Sequence, residues 1–457
     1  MEYFLLDSNN IFQNSLFVSC GGLIIISSIL VFGRKLNFAI KLERIGFPIA
    51  VICGILGILI GPYGLLNLLS KETTDIWEAS LTPLLSLVFA TLMLGRPVPT
   101  LKGLIKPILN QFLLALSLGF GQFFVGGLVV KYFLSQSIEV NPLMSCLIEV
   151  GFEGGHGAAS IIGNSFVRMG YPEGLDLGLA MATMGLLSSS LIGSIFIFIG
   201  NILNLTNQQN ISEKMYSNEI IYKFKLISNL KILITNLGLA GLAIIIGLLL
   251  NQILRYISLF LGPFSKEIIY SLPVFPLILI GSLLVRYLLE KTEKTTFISQ
   301  ILQREMGILS TDLLIFAAMA SLNLSTVLGN WFPILLLTLV GLIWNILCII
   351  FYAYFVFDEY WFEKGLVEFG NSTGVVASGL LLLRLADPNN ISKTLPIFTS
   401  KQLFAQLLLS GGFFTVLSPI LLSRIGLDYW LEICASLAFI ISFIAYFINN
   451  KISFFSN

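Results

Sequence analysis

Apolar runs of about 20 residues recur along this chain, and each is long enough to cross a hydrocarbon core about 30 Å thick. Few charges lie between them: Asp, Glu, Lys and Arg make up 11% of the 457 residues, whereas apolar types make up 56%. Because a soluble domain carries about 25% charged residues, a soluble protein of this length could not cover its surface with so few. The pattern predicts an all-α polytopic membrane protein.

The predicted transmembrane helices form two groups of five, with one extra helix at the C-terminal end. They lie at residues 15–32, 46–69, 81–95, 103–133, 177–203, 229–261, 268–288, 307–324, 331–357, 402–422 and 427–448. Two further apolar segments, 142–167 and 365–386, are interrupted by glycines and acidic residues. We therefore divide the chain into a first membrane repeat (1–203), a cytoplasmic linker (204–228), a second membrane repeat (229–426) and an extra span with its tail (427–457).

The two groups share a weak internal similarity. Leu147-Ile-Glu-Val-Gly151 aligns with Leu366-Val-Glu-Phe-Gly370, and a preceding helix in each half carries Phe-Ala, at residues 89–90 and 316–317. Glycine-interrupted segments at corresponding positions of two halves are typical of secondary transporters, and they mark the binding site.

The distribution of Lys and Arg indicates how the interrupted segments cross, because cytoplasmic loops carry an excess of these residues. If each segment enters and leaves on one side, and the N-terminus is outside, most of the 26 Lys and Arg residues lie in cytoplasmic loops, Lys401 among them. If both segments cross fully, the residues divide almost evenly. The first arrangement makes each segment a re-entrant hairpin, makes the halves inverted repeats and leaves the C-terminus in the cytoplasm.

The first interrupted segment reads Glu149-Val-Gly-Phe-Glu-Gly-Gly-His-Gly157 and contains the only histidine of the chain. An ionisable residue inside the membrane costs about 2.5–3.5 kcal/mol and persists mainly where it faces a cavity or a partner. Close helix packing would explain the glycines but not the acids. We expect the solute to contact Gly154, Gly155, His156 and Gly157, and the coupling cation to contact Glu149 and Glu153.

The second interrupted segment carries Glu368 and Gly370-Asn-Ser-Thr-Gly374. Neutral side-chain oxygens beside freed carbonyls are suitable Na⁺ ligands, and the N-terminus of the next helix suits a carboxylate. An exposed polar loop is disfavoured because the apolar run 380–383 follows directly. We expect Gly370, Asn371, Ser372, Thr373 and Gly374 to contact the solute, and Glu368, Asn371, Ser372 and Thr373 to contact the cation. Asp312, near the start of another helix, fits cation binding and helix capping equally well.

Three motifs resemble those of one family. Glu153-Gly-Gly-His-Gly157, followed by the run from Gly174 to Gly185, resembles the bacterial sodium/glutamate symporter family, and Gly370-Asn-Ser-Thr-Gly374 resembles its second glycine-rich loop. The resemblance extends over nearly the whole chain. It implies two inverted halves of five helices with a re-entrant loop in each, Na⁺-coupled uptake of glutamate, and a homodimer.

We therefore expect a Na⁺-driven symporter for glutamate or a similar small carboxylate-bearing solute, in the inner (plasma) membrane of the cell. Its expected partners are the solute, Na⁺ and the lipid bilayer. A cation/proton antiporter that uses Glu149, Glu153 and Glu368 is the alternative. A membrane enzyme is disfavoured because a single histidine leaves no second base or ligand beside it. The balance of 26 basic against 25 acidic residues provides no basic surface for nucleic acid.

Overall fold

The structure of the protein is a computed structural model. It describes residue 28 and residues 49–62, 71–95, 105–137, 140–206, 230–260, 274–388 and 391–455, with isolated positions between 64 and 68 and between 262 and 270. The regular structure in these residues is entirely helical, and seven of their helices are long and apolar enough to cross a membrane. The prediction of an all-α polytopic membrane protein is therefore confirmed. The predicted span at 15–32 and most of the linker at 204–228 lie outside the described residues.

Six helices are described in the first part of the chain. In chain order they are α1 (Ile49–Ile60), α2 (Lys71–Leu94), α3 (Ile105–Leu134), α4 (Pro142–Gly151), α5 (Gly155–Arg168) and α6 (Gly174–Ile202), with a short turn of helix at Ser135–Ser137. The first turns of α4 are 3₁₀-helical, and α3 ends in a π-helical turn at Val130–Leu134. The predicted spans at 103–133 and 177–203 agree closely with α3 and α6, whereas α2 begins at Lys71 rather than at residue 81.

Ten helices are described in the second part of the chain. They are α7 (Leu230–Ser258), α8 (Phe275–Lys291), α9 (Gln300–Ala320), α10 (Leu324–Gly329), α11 (Trp331–Val356), α12 (Trp361–Thr373), α13 (Val376–Ala386), α14 (Thr394–Leu408), α15 (Phe413–Ile425) and α16 (Leu427–Phe455), with a 3₁₀ turn at Thr295–Phe297. Like α3, α11 contains a π-helical turn near its end, at Cys348–Ala353.

The span predicted at 402–422 lies within Thr394–Ile425, one of the seven membrane-length segments, but it is not one continuous helix. The structure has α14 and α15 in its place, separated by residues 409–412. Ser410 and Gly411 in this break have φ angles of 57° and 88°, in the left-handed region that stops a right-handed helix. The break leaves the carbonyls at the end of α14 without helical partners.

The helices pack in two groups around the interrupted segments. One group consists of α1, α2, α7, α8 and α9, and the other of α3, α4, α6 and α11–α16, with α5 in contact with both. Helix α3 is the most buried of the long helices. Its glycines explain this position, because a Cβ at any of four of them would lie within 2.6 Å of a neighbouring helix or of the 409–412 break; they are Gly119, Gly121, Gly126 and Gly127.

Both interrupted segments fold back on themselves. In the first, Asn141 before α4 donates a hydrogen bond to the carbonyl of Gly170 after α5 (3.3 Å), so the two ends of the segment lie side by side. In the second, a Cβ on Gly370 of α12 would lie 2.5 Å from Cα of Gly379 in α13. The backbones of these two arms are therefore in direct contact, which only glycine permits. Each segment is a helical hairpin, and we call them hairpin 1 (142–168) and hairpin 2 (361–386).

Candidate functional site

The tips of the two hairpins meet inside the protein. Gly155, at the tip of hairpin 1, has a φ of +63°, and a Cβ on it would lie 2.6 Å from Cγ1 of Val375 in hairpin 2. The carbonyl oxygen of Gly374 lies on the same side, 4.0 Å from that point. Helix α5 begins at Gly155 and α13 at Val376, so two helix N-termini with their partial positive charges lie at one contact.

Glu149 and Glu153 of hairpin 1 lie against the break between α14 and α15. Thr415 donates its hydroxyl proton to Oε1 of Glu149 (2.6 Å), and the backbone N–H of Ser410 donates to the same oxygen (3.3 Å). The hydroxyl of Ser410 donates to Oε1 of Glu153 (3.0 Å). The two acids are 0% and 3% exposed. Both acids therefore contact the same residue, Ser410.

Glu368 of hairpin 2 forms an ion pair with Lys401 of α14. The Nζ atom of Lys401 lies 2.8 Å from Oε1 and donates to Oε2 at 2.9 Å, and both side chains are fully buried. Placing Lys401 in a cytoplasmic loop was therefore wrong: its apolar neighbours on α14 carry it into the protein, where Glu368 neutralises it. Glu153 interacts electrostatically with both members of the pair, so the acids of the two hairpins form one charged cluster with Lys401.

The polar residues at the tip of hairpin 2 are held by neighbouring helices. Asn371 accepts a hydrogen bond from Gln402 (2.7 Å), and Thr373 accepts one from Asn345 (2.9 Å). The carbonyl of Ser372 accepts hydrogen bonds from Gln122 (2.7 Å) and Asn345 (3.2 Å).

The segment was expected to be irregular from residue 370, but α12 remains helical through Thr373. Consecutive helical side chains point about 100° apart. The three side chains of Asn371, Ser372 and Thr373 therefore face different neighbours instead of one point, although all three are buried.

His156 lies one residue beyond the contact between the tips and is buried against α6. Its Nε2 is 3.1 Å from the hydroxyl oxygen of Thr183, and that hydroxyl donates its own proton to the carbonyl of Leu179 (3.0 Å). The oxygen of Thr183 therefore accepts from Nε2–H, and a neutral His156 keeps a lone pair on Nδ1. Nδ1 is buried and has no hydrogen-bond partner among the described residues.

Asp312 lies outside the hairpins, in the packing group formed by α1, α2, α7, α8 and α9. It is half-buried on α9, which packs mainly on α1 and α2. One turn further along α9, Ile315 shares an apolar cluster with Val375 of hairpin 2. Of the predicted site residues, Asp312 is the one that lies on neither hairpin.

A polar cavity of about 300 Å³ lies at the start of α2 and α6. Its lining includes Asp75, Glu78, Asp176 and Asn323, which directly precedes α10. Leu179 lines the same cavity, and its carbonyl bonds Thr183, the partner of His156. The cavity therefore lies one helical turn of α6 from the residue that holds His156.

Five residues of the site were not predicted from the sequence: Ser410, Thr415, Lys401 and the two amides that hold hairpin 2, Gln122 and Asn345. Ser410-Gly-Gly412 within an apolar run is a recognisable signal for a helix break. The amides carry no such signal, because isolated polar residues in apolar helices occur for many reasons.

The chain was compared with known families and structures. A sequence model of the sodium/glutamate symporter family matches residues 17–361. Among solved structures, the sodium proton antiporter MjNhaP1 from Methanocaldococcus jannaschii, at pH 8, is similar with 17% sequence identity and a TM-score of 0.41, over 93% of this chain and 99% of that chain. No curated protein sequence gives a significant match.

Proposed function

The chain belongs to the sodium/glutamate symporter family, and we propose on this premise that it uses a Na⁺ gradient to import glutamate or a similar small carboxylate-bearing solute. The family is one of Na⁺-coupled transporters rather than enzymes. The seven membrane-length helices of the described residues agree with a multi-pass membrane protein. The observation that carries the solute class is the contact between the hairpin tips, where α5 and α13 both begin. Backbone N–H groups at two helix N-termini suit a carboxylate.

The solute lies in this proposal against the backbone of residues 154–157 and against Gly374. The glycines of hairpin 1 let a ligand approach the main chain closely. The free Nδ1 lone pair of His156 would accept a hydrogen bond from the amino group of an α-amino acid. This acceptor favours an amino acid over a simple dicarboxylate, because an ammonium group donates where a carboxylate cannot. Gly370, Asn371, Ser372 and Thr373 act by holding the second tip in place.

We further propose that the halves are inverted repeats with the boundaries given above: 1–203 and 229–426, joined by a linker at 204–228 and followed by an extra span at 427–457. Three features support this. Each half has a helical hairpin, each hairpin carries a glutamate at the matching position, and each is preceded by a long helix with a π-helical turn near its end. Two tips that meet inside the protein are the arrangement expected if the hairpins enter from opposite sides.

The orientation, membrane and oligomeric state are part of the same proposal. The Lys and Arg distribution supports an outside N-terminus and a cytoplasmic C-terminus, with both hairpins re-entrant. The membrane in this proposal is the inner (plasma) membrane of the cell. The family resemblance supports a homodimer.

Cation/proton antiport is the second candidate. It is favoured by Glu149 and Glu153, whose Oε2 atoms are buried without hydrogen-bond partners among the described residues. Carboxylates in this condition take up either a proton or a cation. The geometry of two helix N-termini, which an antiporter would not need for its substrates, favours symport.

The test is uptake by the purified full-length protein in liposomes. An inward Na⁺ gradient is imposed, with an equal K⁺ gradient as the control, and a panel of labelled amino and dicarboxylic acids is supplied outside. We expect Na⁺-dependent accumulation of one acidic amino acid that persists when the pH gradient is collapsed. In parallel, a pH-sensitive dye is sealed inside liposomes that receive no solute. Alkalinisation of the lumen driven by the inward Na⁺ gradient alone, as H⁺ leaves in exchange for Na⁺, without accumulation of any solute, would replace symport by antiport.

A further inference from the structure

A third helix break lies beside the two hairpin tips, and it contacts the acids of hairpin 1. Ser410 provides its N–H to Glu149 and its hydroxyl to Glu153. Thr415 at the start of α15 bonds Glu149 and accepts the N–H of Gly411. Hairpin 1 and the 409–412 break therefore enclose two carboxylates and two hydroxyl oxygens.

One oxygen of each carboxylate has no hydrogen-bond partner among the residues that the structure describes. They are Oε2 of Glu149 and Oε2 of Glu153, and both residues are more than nine-tenths buried. Gly119 of α3 packs closely against Glu153 and Leu409: a Cβ there would lie 3.1 Å from Oε2 of Glu153 and 2.6 Å from a methyl group of Leu409. Any residue larger than glycine at position 119 would therefore collide with the carboxylate or with Leu409.

The charges of the cluster do not balance. Lys401 neutralises Glu368 directly, with both oxygens of the carboxylate in contact. Glu149 and Glu153 have only hydroxyl and amide donors on their Oε1 atoms. A single lysine leaves the three buried acids with a net negative charge, which is strongly unfavourable, so Glu149 and Glu153 must gain a proton or share a cation.

We propose that Glu149, Glu153, Ser410 and Thr415 form the site of the coupling Na⁺, between hairpin 1 and the break of α14–α15, and that Lys401 is the fixed counter-charge of Glu368. This deepens the proposed function and rests on it for the identity of the ion. Oxygen ligands only, with carbonyls freed at a helix break, are the usual surroundings of Na⁺ in transporters. The assignment removes Glu368, Asn371, Ser372, Thr373 and Asp312 from the expected ligands.

The proposal explains why the ion and the solute would be coupled. Glu153 is followed directly by Gly154 and Gly155, so a cation on the acids lies within a few residues of the tip contact where the carboxylate binds. A cation there neutralises the acids that would otherwise repel an anionic solute; two like charges about 4 Å apart repel by roughly 4 kcal/mol at an effective dielectric of about 20.

The experiment measures Na⁺ binding directly, without transport. Full-length protein in lipid nanodiscs is unfolded by heat at increasing NaCl, with choline chloride holding the ionic strength constant, and the dissociation constant is taken from the rise of the midpoint. The variants are Glu149→Gln, Glu153→Gln and Ser410→Ala. The controls are Glu290→Gln, an acid of α8 paired with Arg286, and the double variant Glu368→Gln/Lys401→Met.

We expect Glu149→Gln and Glu153→Gln each to weaken Na⁺ binding by at least about tenfold, since each removes a full negative charge from the ligands of the ion. Ser410→Ala removes a neutral group and should weaken it by about three- to tenfold. Both controls should stay within about threefold of the wild type. If the Gln variants do not fold, Ser410→Ala decides the outcome alone.

Unchanged Na⁺ binding in the Glu149 and Glu153 variants, or in Ser410→Ala when those do not fold, would overturn the site. The site would also be overturned if the double variant lost as much Na⁺ affinity as the Glu149 and Glu153 variants. The same holds if the unfolding midpoint of the wild type rose equally with NaCl and with choline chloride. The failure of the site and the failure of the function are separable. Na⁺-driven uptake with unchanged binding in the acid variants refutes only the site, whereas Na⁺ binding at these acids without uptake of any solute refutes only symport.

Discussion

The buried pair of Glu368 and Lys401 gives the sharpest prediction about stability. Both side chains are 0% exposed, and Nζ lies 2.8 and 2.9 Å from the two carboxylate oxygens. Removing one member of such a pair leaves an uncompensated buried charge and costs about 3–5 kcal/mol, whereas replacing both by neutral groups of similar volume is neutral or stabilising. We therefore expect Glu368→Gln and Lys401→Met to be destabilising, and the double variant to recover most of the loss.

The two single variants should not be equal. Glu368→Gln leaves the ammonium group of Lys401 near Glu153, which interacts with it electrostatically. Lys401→Met leaves three acids, Glu149, Glu153 and Glu368, without a basic partner. The loss for Lys401→Met should therefore lie near the upper end of about 3–5 kcal/mol and that for Glu368→Gln near or below the lower end.

The assay is unfolding of the purified protein by SDS in mixed micelles, followed by circular dichroism, at fixed Na⁺. Lys106→Met is the matched control, because Lys106 forms an ion pair of similar length with Asp358 (3.0 Å) at the surface, with the two side chains 28% and 62% exposed. An exposed pair contributes only about 0–1 kcal/mol. Losses below about 1 kcal/mol in both single variants of the buried pair, or strictly additive losses in the double variant, would refute the reasoning.

Two further predictions concern the hairpin tip and the topology. Gly155→Ala should cost about 1–2 kcal/mol of stability, because Gly155 has a left-handed backbone conformation. It should lower solute uptake more than Na⁺ binding, since the added methyl group meets Val375. Gly238→Ala on α7, where a Cβ meets nothing within 4 Å, is the control and should change neither stability nor uptake in the same unfolding and uptake assays. In a cysteine-free background, a thiol at Gln136 should react with an impermeant maleimide only from outside and one at Asn207, beyond the described residues, only from the cytoplasm. Labelling of both thiols from one face would remove the inverted-repeat arrangement.

The two hairpins could be predicted from the sequence because each combines an apolar, membrane-like segment with residues that a simple transmembrane helix does not tolerate. Acids and glycines interrupt an apolar segment in both, and the Lys and Arg distribution requires the segment to return to the side from which it came. The structure folds both segments back on themselves, as Asn141 against Gly170 and Gly370 against Gly379 demonstrate. What the pattern could not provide is the length of the helical arms: α12 continues to Thr373 because Gln122, Asn345 and Gln402, distant in sequence, satisfy its last polar groups.

Lys401 and Ser410 were missed for a different physical reason, which is that each was interpreted without its partner. A lysine at the edge of an apolar run has the same pattern whether it reaches the interface or pairs inside, and only the position of Glu368, on another helix, distinguishes the two. Counting charges places Lys401 in a cytoplasmic loop without conflict with any other residue. In the folded protein, Lys401 is buried beside the carboxylate of Glu368. Ser410 breaks an apolar run together with Gly411 and Gly412, and the gain that offsets the lost backbone hydrogen bonds is its contact with both Glu149 and Glu153. Helix breaks and buried charges in such a chain should therefore be sought together, since an unpaired acid on one segment indicates that a donor or a cation must be supplied by another.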